Sequence, residues 1–344
     1  GGTTGISKGA VLLHRNLVAN ILQAEVWYSP VLAKVPAGEQ IVTVCALPIY
    51  HVFGFTFNMM LGLRMGGCGV LIVNPRDLPA MFKDLAGERI HSFPAVSTLF
   101  KAMASHADFG RVDWSHLILS IGGGMAVQSA TARLWTQKTG CPVIEGYGLS
   151  ETSPIASCNP ADSTVFNATI GLPLPNTEMK LIDDAGNEVA AGSPGEIAIR
   201  GPQVMAGYWQ RPDETAAVMT ADGFFRSGDI GTVDANGYFK IVDRKKDMIL
   251  VNGFNVYPNE VEEVVSQLPG VAECAVVGVA DETAGERVKL VLVRSDPALT
   301  EATVRAHCES MLVGYKRPRV IEFRTELPKT NVGKILRRAL RDGA

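Results

Sequence analysis

The chain has 344 residues, 47% hydrophobic and 19% charged, which is enough apolar content to bury a sizeable core and too much for a disordered chain. Lys and Arg number 32 against 35 Asp and Glu, a net charge of −3, and the basic residues are scattered, which argues against a dedicated nucleic-acid surface. That length predicts about two or three domains. The six cysteines form no CxxC and stand at no zinc-finger spacing from histidine, so reduced thiols in a cytoplasmic setting are expected and a structural metal site is not. No signal-peptide pattern opens the chain. It begins without Met on a glycine-rich loop, a feature that normally follows a strand, and reads as the later part of a longer protein.

The opening run GGTTGISKG offers glycines for close backbone approach to an anion, hydroxyls as donors and Lys8 as charge. It lacks the Gly before Lys that a Walker A loop requires, and a plain flexible loop is the alternative. Residues 16–27 have helical spacing. The stretch 41–63 carries no Asp, Glu, Lys or Arg, but Pro48, His51, Gly54 and Asn58 interrupt it, so it reads as strand, loop and apolar helix rather than a membrane span. Strands at 70–73, 90–93, 117–121 and 143–144 alternate with helices at 78–85, 95–104 and 127–138. That alternation predicts a mostly parallel, doubly wound α/β sheet with ligands at the carboxyl ends of its strands. Two loops are expected there: Gly122-Gly123-Gly124 and the run from Glu145 to Thr152.

From about residue 168 short β-like runs at 178–182, 196–200 and 239–242 are split by DDAGNE, GSPGE and DANG, which predicts a small antiparallel, barrel-like β unit. Beyond residue 243 the pattern is α+β: helices at 259–267, 300–310 and 335–340, strands at 274–279, 288–293 and 320–323. The expected domains are 1–166, 167–242 and 243–344. The charged run Asp243–Asp247 lies between β-like runs at 238–242 and 248–251. A β-hairpin would explain it, and so would a junction; the change of architecture at this point favours the junction.

Taken in order, GGTTGISKG, LPIYHVFG, GGGMA, EGYGLSET, GYWQRPDETA, DGFFRSGDIG, DRKKDMILVNGFNVYPNEVE and LPKTNVGKILRR resemble the motifs of the adenylate-forming superfamily of acyl-CoA synthetases, luciferases and peptide-synthetase adenylation domains. The wording of NPRDLP, KDMILVNGFNVYPNEVE and LPKTNVGKILRR is most similar to bacterial long-chain fatty-acid–CoA ligases. The resemblance implies ATP-dependent acyl-AMP formation, then attack by CoA to give the thioester. It also implies roles. Thr3, Thr4 and Lys8 would cradle phosphates, Thr152 would touch phosphate near the reacting carboxylate, and Glu151 would bind Mg²⁺. Gly122, Gly123, Gly124, Glu145, Gly146 and Tyr147 would hold adenine. Asp229 would take the ribose hydroxyls with Arg244 beside it, and His51 would lie near the acyl carboxylate. Lys334 would enter the site during adenylation. A later swing of the small domain about Asp243 would withdraw it and bring Gly253 to the CoA path. The alternatives left open are a medium-chain or aryl acid–CoA ligase and a non-catalytic nucleotide- or acyl-binding fragment. A homodimer and peripheral contact with the inner membrane also stay open.

Overall fold

The computed structural model describes residues 8–330 and 333–341. Its largest sheet has seven strands in the order Cys68–Leu71, Val42–Cys45, Ser92–Ala95, Leu119–Gly122, Val143–Gly148, Ile155–Cys158 and Leu172–Pro173. The first five run parallel; the last two are antiparallel additions. Ser92–Ala95 and Leu119–Gly122 are buried at every residue, as a parallel sheet covered on both faces requires. Helices 78–85, 97–104 and 129–139 connect these strands. Between them lies an aromatic cluster in which Phe100 and Trp135 meet edge to face with ring centroids 4.8 Å apart. Pro94 lies inside a strand and the following helix starts at Ser97, later than its expected start at 95. The uncharged stretch 41–63 forms a strand, a loop and a widened helix, Gly54–Leu61. Among the described residues no helix is long and apolar enough to cross a membrane.

The first long helix, His14–Leu32, turns polar residues inward. Asn16 donates to the Pro202 carbonyl (2.7 Å), and Gln23 donates to the Pro175 carbonyl (2.6 Å). Asn20 both donates to the Ile155 carbonyl (2.7 Å) and accepts from the Ile155 amide (3.0 Å). These bonds satisfy irregular backbone that would otherwise be buried without partners. They fix the helix to Ile155 in the first sheet and to the 202–204 segment.

A second, open antiparallel sheet has the order Phe239–Arg244, Phe225–Val233, Gly195–Arg200, Glu178–Ile182. The nine-residue strand Phe225–Val233 places Asp229 on a ladder instead of in the expected Ser-Gly-Asp turn. Its Ser-Gly-Asp stretch has poor strand propensity and bulges: the ladder to 195–200 skips from Arg226 to Ile230, the ladder to 239–244 begins at Asp229, Gly228 takes φ 75°, and the paired residues on either side carry the strand across. The first sheet runs to Pro173, past the expected boundary at 166/167.

The third sheet joins Val271–Asp281, Gly285–Arg294 and Val320–Phe323 to a small hairpin, Ile249–Val251 with Phe254–Val256. Asn252 (φ 50°) and Gly253 (φ 81°) form the hairpin tip, the Asn-Gly pattern of a type I′ turn. The two β-runs around Asp243–Asp247 do not pair with each other. One belongs to the second sheet, the other to this hairpin, so the charged run links two sheets. The expected helix at 335–340 shrinks to Arg338–Arg341, because Ile335 instead bridges Lys329.

Candidate active site

A cavity of about 700 Å³ opens at the carboxyl ends of strands 119–122 and 143–148. One side is apolar, walled by Tyr28, Leu47, Phe53, Ile121 and Ile155. Glycines 122, 123, 124, 146 and 148 present backbone without side chains along its middle. The far rim carries Glu151, Asp229, Arg244, Lys245, Lys246 and Lys334, so four cations face two carboxylates. Such a rim favours an anionic ligand.

Asp229 and Arg244 stand opposite each other on the ladder between strands 225–233 and 239–244, with Arg244 Nε 3.3 Å from Asp229 Oδ1. The Tyr147 phenol donates to Asp229 Oδ2 at 2.7 Å. Burial, and then the Asp229 charge, push the Tyr147 phenol well above its ordinary value, so it remains a donor. The carboxylate is 4% exposed and is therefore oriented by two partners from two different sheets.

Lys334 reaches the cavity from the loop after residue 328. Thr330 closes that loop: its hydroxyl accepts from the Lys334 amide (3.1 Å), and its amide donates to the Lys334 carbonyl (2.8 Å). Burial, followed by repulsion from Arg244, lowers the Lys334 ammonium to about 7. His51 lines the same cavity, and burial and Lys334 lower its pKa as well. Its Nδ1 accepts from the Phe53 amide at 3.3 Å, so that nitrogen carries no proton.

Other expected residues stand elsewhere. Thr152 is fully buried and does not line the cavity. Its hydroxyl accepts from the Leu149 amide and donates to the Pro154 carbonyl, which makes it a turn-forming group here and not a phosphate donor. The Glu145 side chain is also off the cavity wall; Oε1 accepts from the Val127 amide at 3.0 Å, and burial raises its carboxyl to about 8. It anchors the approach to helix 129–139 instead of touching a base. Lys8 is outside the lining, paired with Glu214 at 2.6 Å and lying 5.0 Å from the centroid of the Tyr208 ring. Gly253 stands apart at its hairpin tip. Thr3 and Thr4 lie outside the described residues.

Sequence reading overlooked Tyr28, Ile155, Lys245 and Thr330 in the wall, and Tyr208 behind it. The motif GYWQRPDETA signalled the last of these, although no role followed from its residue types.

A parallel α/β sheet, an open antiparallel sheet and a small α+β unit around one glycine-walled, cation-rimmed cavity define a multidomain nucleotide-binding class of protein. The chain belongs to the AMP-binding enzyme family, within the adenylate-forming superfamily: residues 1–209 match the AMP-binding enzyme profile and residues 260–334 the profile of its C-terminal domain. It is 52% identical over 344 residues to a long-chain-fatty-acid–CoA ligase of Escherichia coli O157:H7, covering 100% of this chain and 60% of that protein. Among solved structures, ATP-bound MatB from Rhodopseudomonas palustris superposes with a TM-score of 0.88 at 32% identity, covering 99% of this chain and 66% of that one. The anthranilate CoA ligase AuaEII in complex with anthranoyl-AMP superposes with a TM-score of 0.89 at 30% identity, covering 100% and 66%. The chain thus spans about 60% of the length of the curated ligases it matches.

Proposed function

We propose that this chain carries the acid- and nucleotide-binding machinery of an ATP-dependent fatty-acid–CoA ligase. The observation that carries the reading is a single cavity in which an apolar pouch meets the Tyr147–Asp229–Arg244 cluster and the Lys334 ammonium. In the first step a carboxylate oxygen of the fatty acid attacks the α-phosphorus of ATP, and the bond to the β-phosphate breaks to release pyrophosphate. In the second the CoA sulfur attacks the acyl carbonyl, its proton passes to solvent, and AMP leaves. A fatty acid is already ionised near neutral pH, so the first step needs no general base. It needs charge compensation, because two anions approach each other, and Lys334 is placed to supply it. Asp229 can accept from both ribose hydroxyls, with Arg244 holding the carboxylate in place.

The residues present fit a magnesium ion. Mg²⁺ is held by one or two carboxylates together with substrate phosphates, and Glu151 offers one carboxylate at the cavity wall. When bound, the ion would neutralise charge on the phosphates. Rotation about Asp243 would take Lys334 out and bring the Gly253 hairpin toward the path of the thiol. The domain limits 1–166, 167–242 and 243–344 belong to the same proposal.

The test is a substrate panel, acetate through oleate plus benzoate, on the intact protein that carries this chain, with ATP-dependent pyrophosphate release and acyl-CoA formation as readouts. Turnover rising to a maximum with long-chain acids is expected. Absence of pyrophosphate release with every acid would reject the ligase reading. An aryl acid–CoA ligase is the second reading, favoured by the aromatic rings of Tyr28 and Phe53 in the pouch, and the benzoate arm decides it.

A further inference from the structure

The segment just beyond Glu151 in space is made by residues 205–209. The Met205 amide donates to the Glu151 carbonyl at 2.8 Å. The Ala206 amide donates to the Val11 carbonyl (3.0 Å) and the Trp209 amide to the Gly9 carbonyl (2.7 Å). Gly207–Tyr208 pairs with Ala10–Val11 in a two-stranded ladder, with Ala10 opposite Tyr208. Five consecutive residues therefore tie the backbone carrying Glu151 to the backbone carrying Lys8.

The Tyr208 side chain repeats that link. Its phenol donates to Glu151 Oε1 at 2.8 Å, while the Lys8 ammonium lies 5.0 Å from the centroid of its ring. Among the described residues, Oε1 is the Glu151 carboxylate oxygen with a hydrogen-bond partner, and Oε2 has none. The Tyr208 amide is itself fixed, donating to Thr215 Oγ1 at 2.8 Å on the helix Pro212–Ala217. The same helix provides Glu214, the 2.6 Å partner of Lys8. Glu151 stands in the wall shared by the main cavity and a smaller one of about 410 Å³, which Tyr208 also lines.

We propose that Tyr208 is a positioning residue that sets the Glu151 carboxylate and the Lys8 ammonium in place together. The proposal rests on the reading that Glu151 meets Mg²⁺ and Lys8 meets phosphate. A carboxylate with one oxygen held by a phenol presents the other in a fixed direction. A lysine held over a ring keeps its charge without being neutralised by the ring. Glu214 then acts as an exchangeable counter-ion: a phosphate oxygen arriving with the nucleotide replaces it on Lys8. Hydrogen-bond partners behind a metal-ligating group commonly change metal affinity by about 10–100-fold when removed.

The test is calorimetric titration of ATP into the intact protein that carries this chain at a series of Mg²⁺ concentrations, for wild type, Tyr208→Phe and Tyr208→Leu. Tyr208→Phe keeps the ring under Lys8 and removes the hydroxyl alone. It is expected to move the Mg²⁺ midpoint for ATP binding upward by about tenfold. Tyr208→Leu removes the ring as well and is expected to weaken ATP binding further at saturating Mg²⁺. An unchanged Mg²⁺ midpoint in Tyr208→Phe overturns the proposal. So does an equal loss of ATP affinity at all Mg²⁺ concentrations accompanied by a lowered melting temperature, since that marks a purely structural tyrosine. If wild type binds ATP without any Mg²⁺ dependence, the underlying reading of Glu151 fails, and the proposal with it.

Discussion

The proposed role asks Lys334 to carry charge opposite phosphates, yet it is placed where charge is costly. Its ammonium is lowered from 10.5 to about 7, first by burial and then by Arg244. Below about pH 7 folded and unfolded chains both hold the proton, and the folded state bears the whole burial cost. Between about 7 and 10.5 the folded chain has released it while the unfolded chain keeps it, so this residue's destabilising effect shrinks as pH rises. Lys334→Met is therefore expected to melt several degrees higher than wild type at pH 6.5, with the gap narrowing toward pH 10; a constant gap would contradict the shift. Lys334→Ala is expected to slow acyl-AMP formation by about a hundredfold or more while sparing CoA attack on preformed acyl-AMP. Equal loss in both half-reactions would remove the adenylation-only role. Lys334, Asp229 and Arg244 line the cavity, and they were legible through the ordered motifs of the adenylate-forming superfamily, not through residue type or spacing alone. Glu145 and Thr152 were not. Glu145 lies two residues before Tyr147 on its strand, about 6–7 Å deeper below the carboxyl edge, where an amide takes its oxygen. Thr152 spends its hydroxyl on its own turn. Neither diversion is visible from residue type.

At the scale of elements, the parallel strands and the third sheet followed from apolar runs and turn residues; Val320–Phe323 and helix Leu78–Leu85 fall where the pattern puts them. What the pattern missed are strands that depend on a partner. Val143–Gly148 extends through Glu-Gly-Tyr-Gly because Ile155–Cys158 returns beside it. Phe225–Val233 persists across its bulge at 227–229 because its two ends pair with neighbouring strands. At Gly148 glycine is a requirement of close approach. A Cβ on Gly148 would stand 1.8 Å from the Pro154 carbonyl oxygen. Backbone cannot yield there without breaking the Leu149 amide bond to the same carbonyl (3.1 Å). Gly148→Ala is expected to destabilise the chain by about 3 kcal/mol or more, a cost typical of severe overpacking. Chemical denaturation measures it, and a loss under about 1 kcal/mol would mean that the turn 149–154 can move aside.

Across the whole molecule, a chain of net charge −3 gathers four cations on one cavity rim, and among the described residues the unit carrying one of them is tied to the rest by polar contacts at the hinge, where the Asn259 amide donates to Asp243 Oδ2 (2.8 Å), and away from it. Lys101, on helix 97–104, donates to the carbonyls of Val271 (3.1 Å) and Ala272 (2.5 Å) at the start of the third sheet. Arg76 donates to the Thr330 carbonyl at 3.5 Å, a weak bond at the limit of geometry. If the third sheet and its helices rotate between the two half-reactions, the Lys101 bonds must break each cycle, while the Tyr147–Asp229 bond between the first two sheets need not. Lys101 then biases the orientation that keeps Lys334 in the cavity. Burial already lowers its pKa, so its ammonium is poorly hydrated and depends on those two carbonyls. Lys101→Met removes the charged donor and keeps the stem, for a loss of about 2 kcal/mol, or about thirtyfold in the balance of orientations. Acyl-AMP formation is expected to slow, the CoA step to hold or quicken, and a fluorescence-transfer pair spanning helix 97–104 and strand 271–281 to report a larger mean separation. An unchanged separation together with equal slowing of both steps would show that Lys101 serves packing alone, and that the Lys334 orientation is set inside its own loop by Thr330.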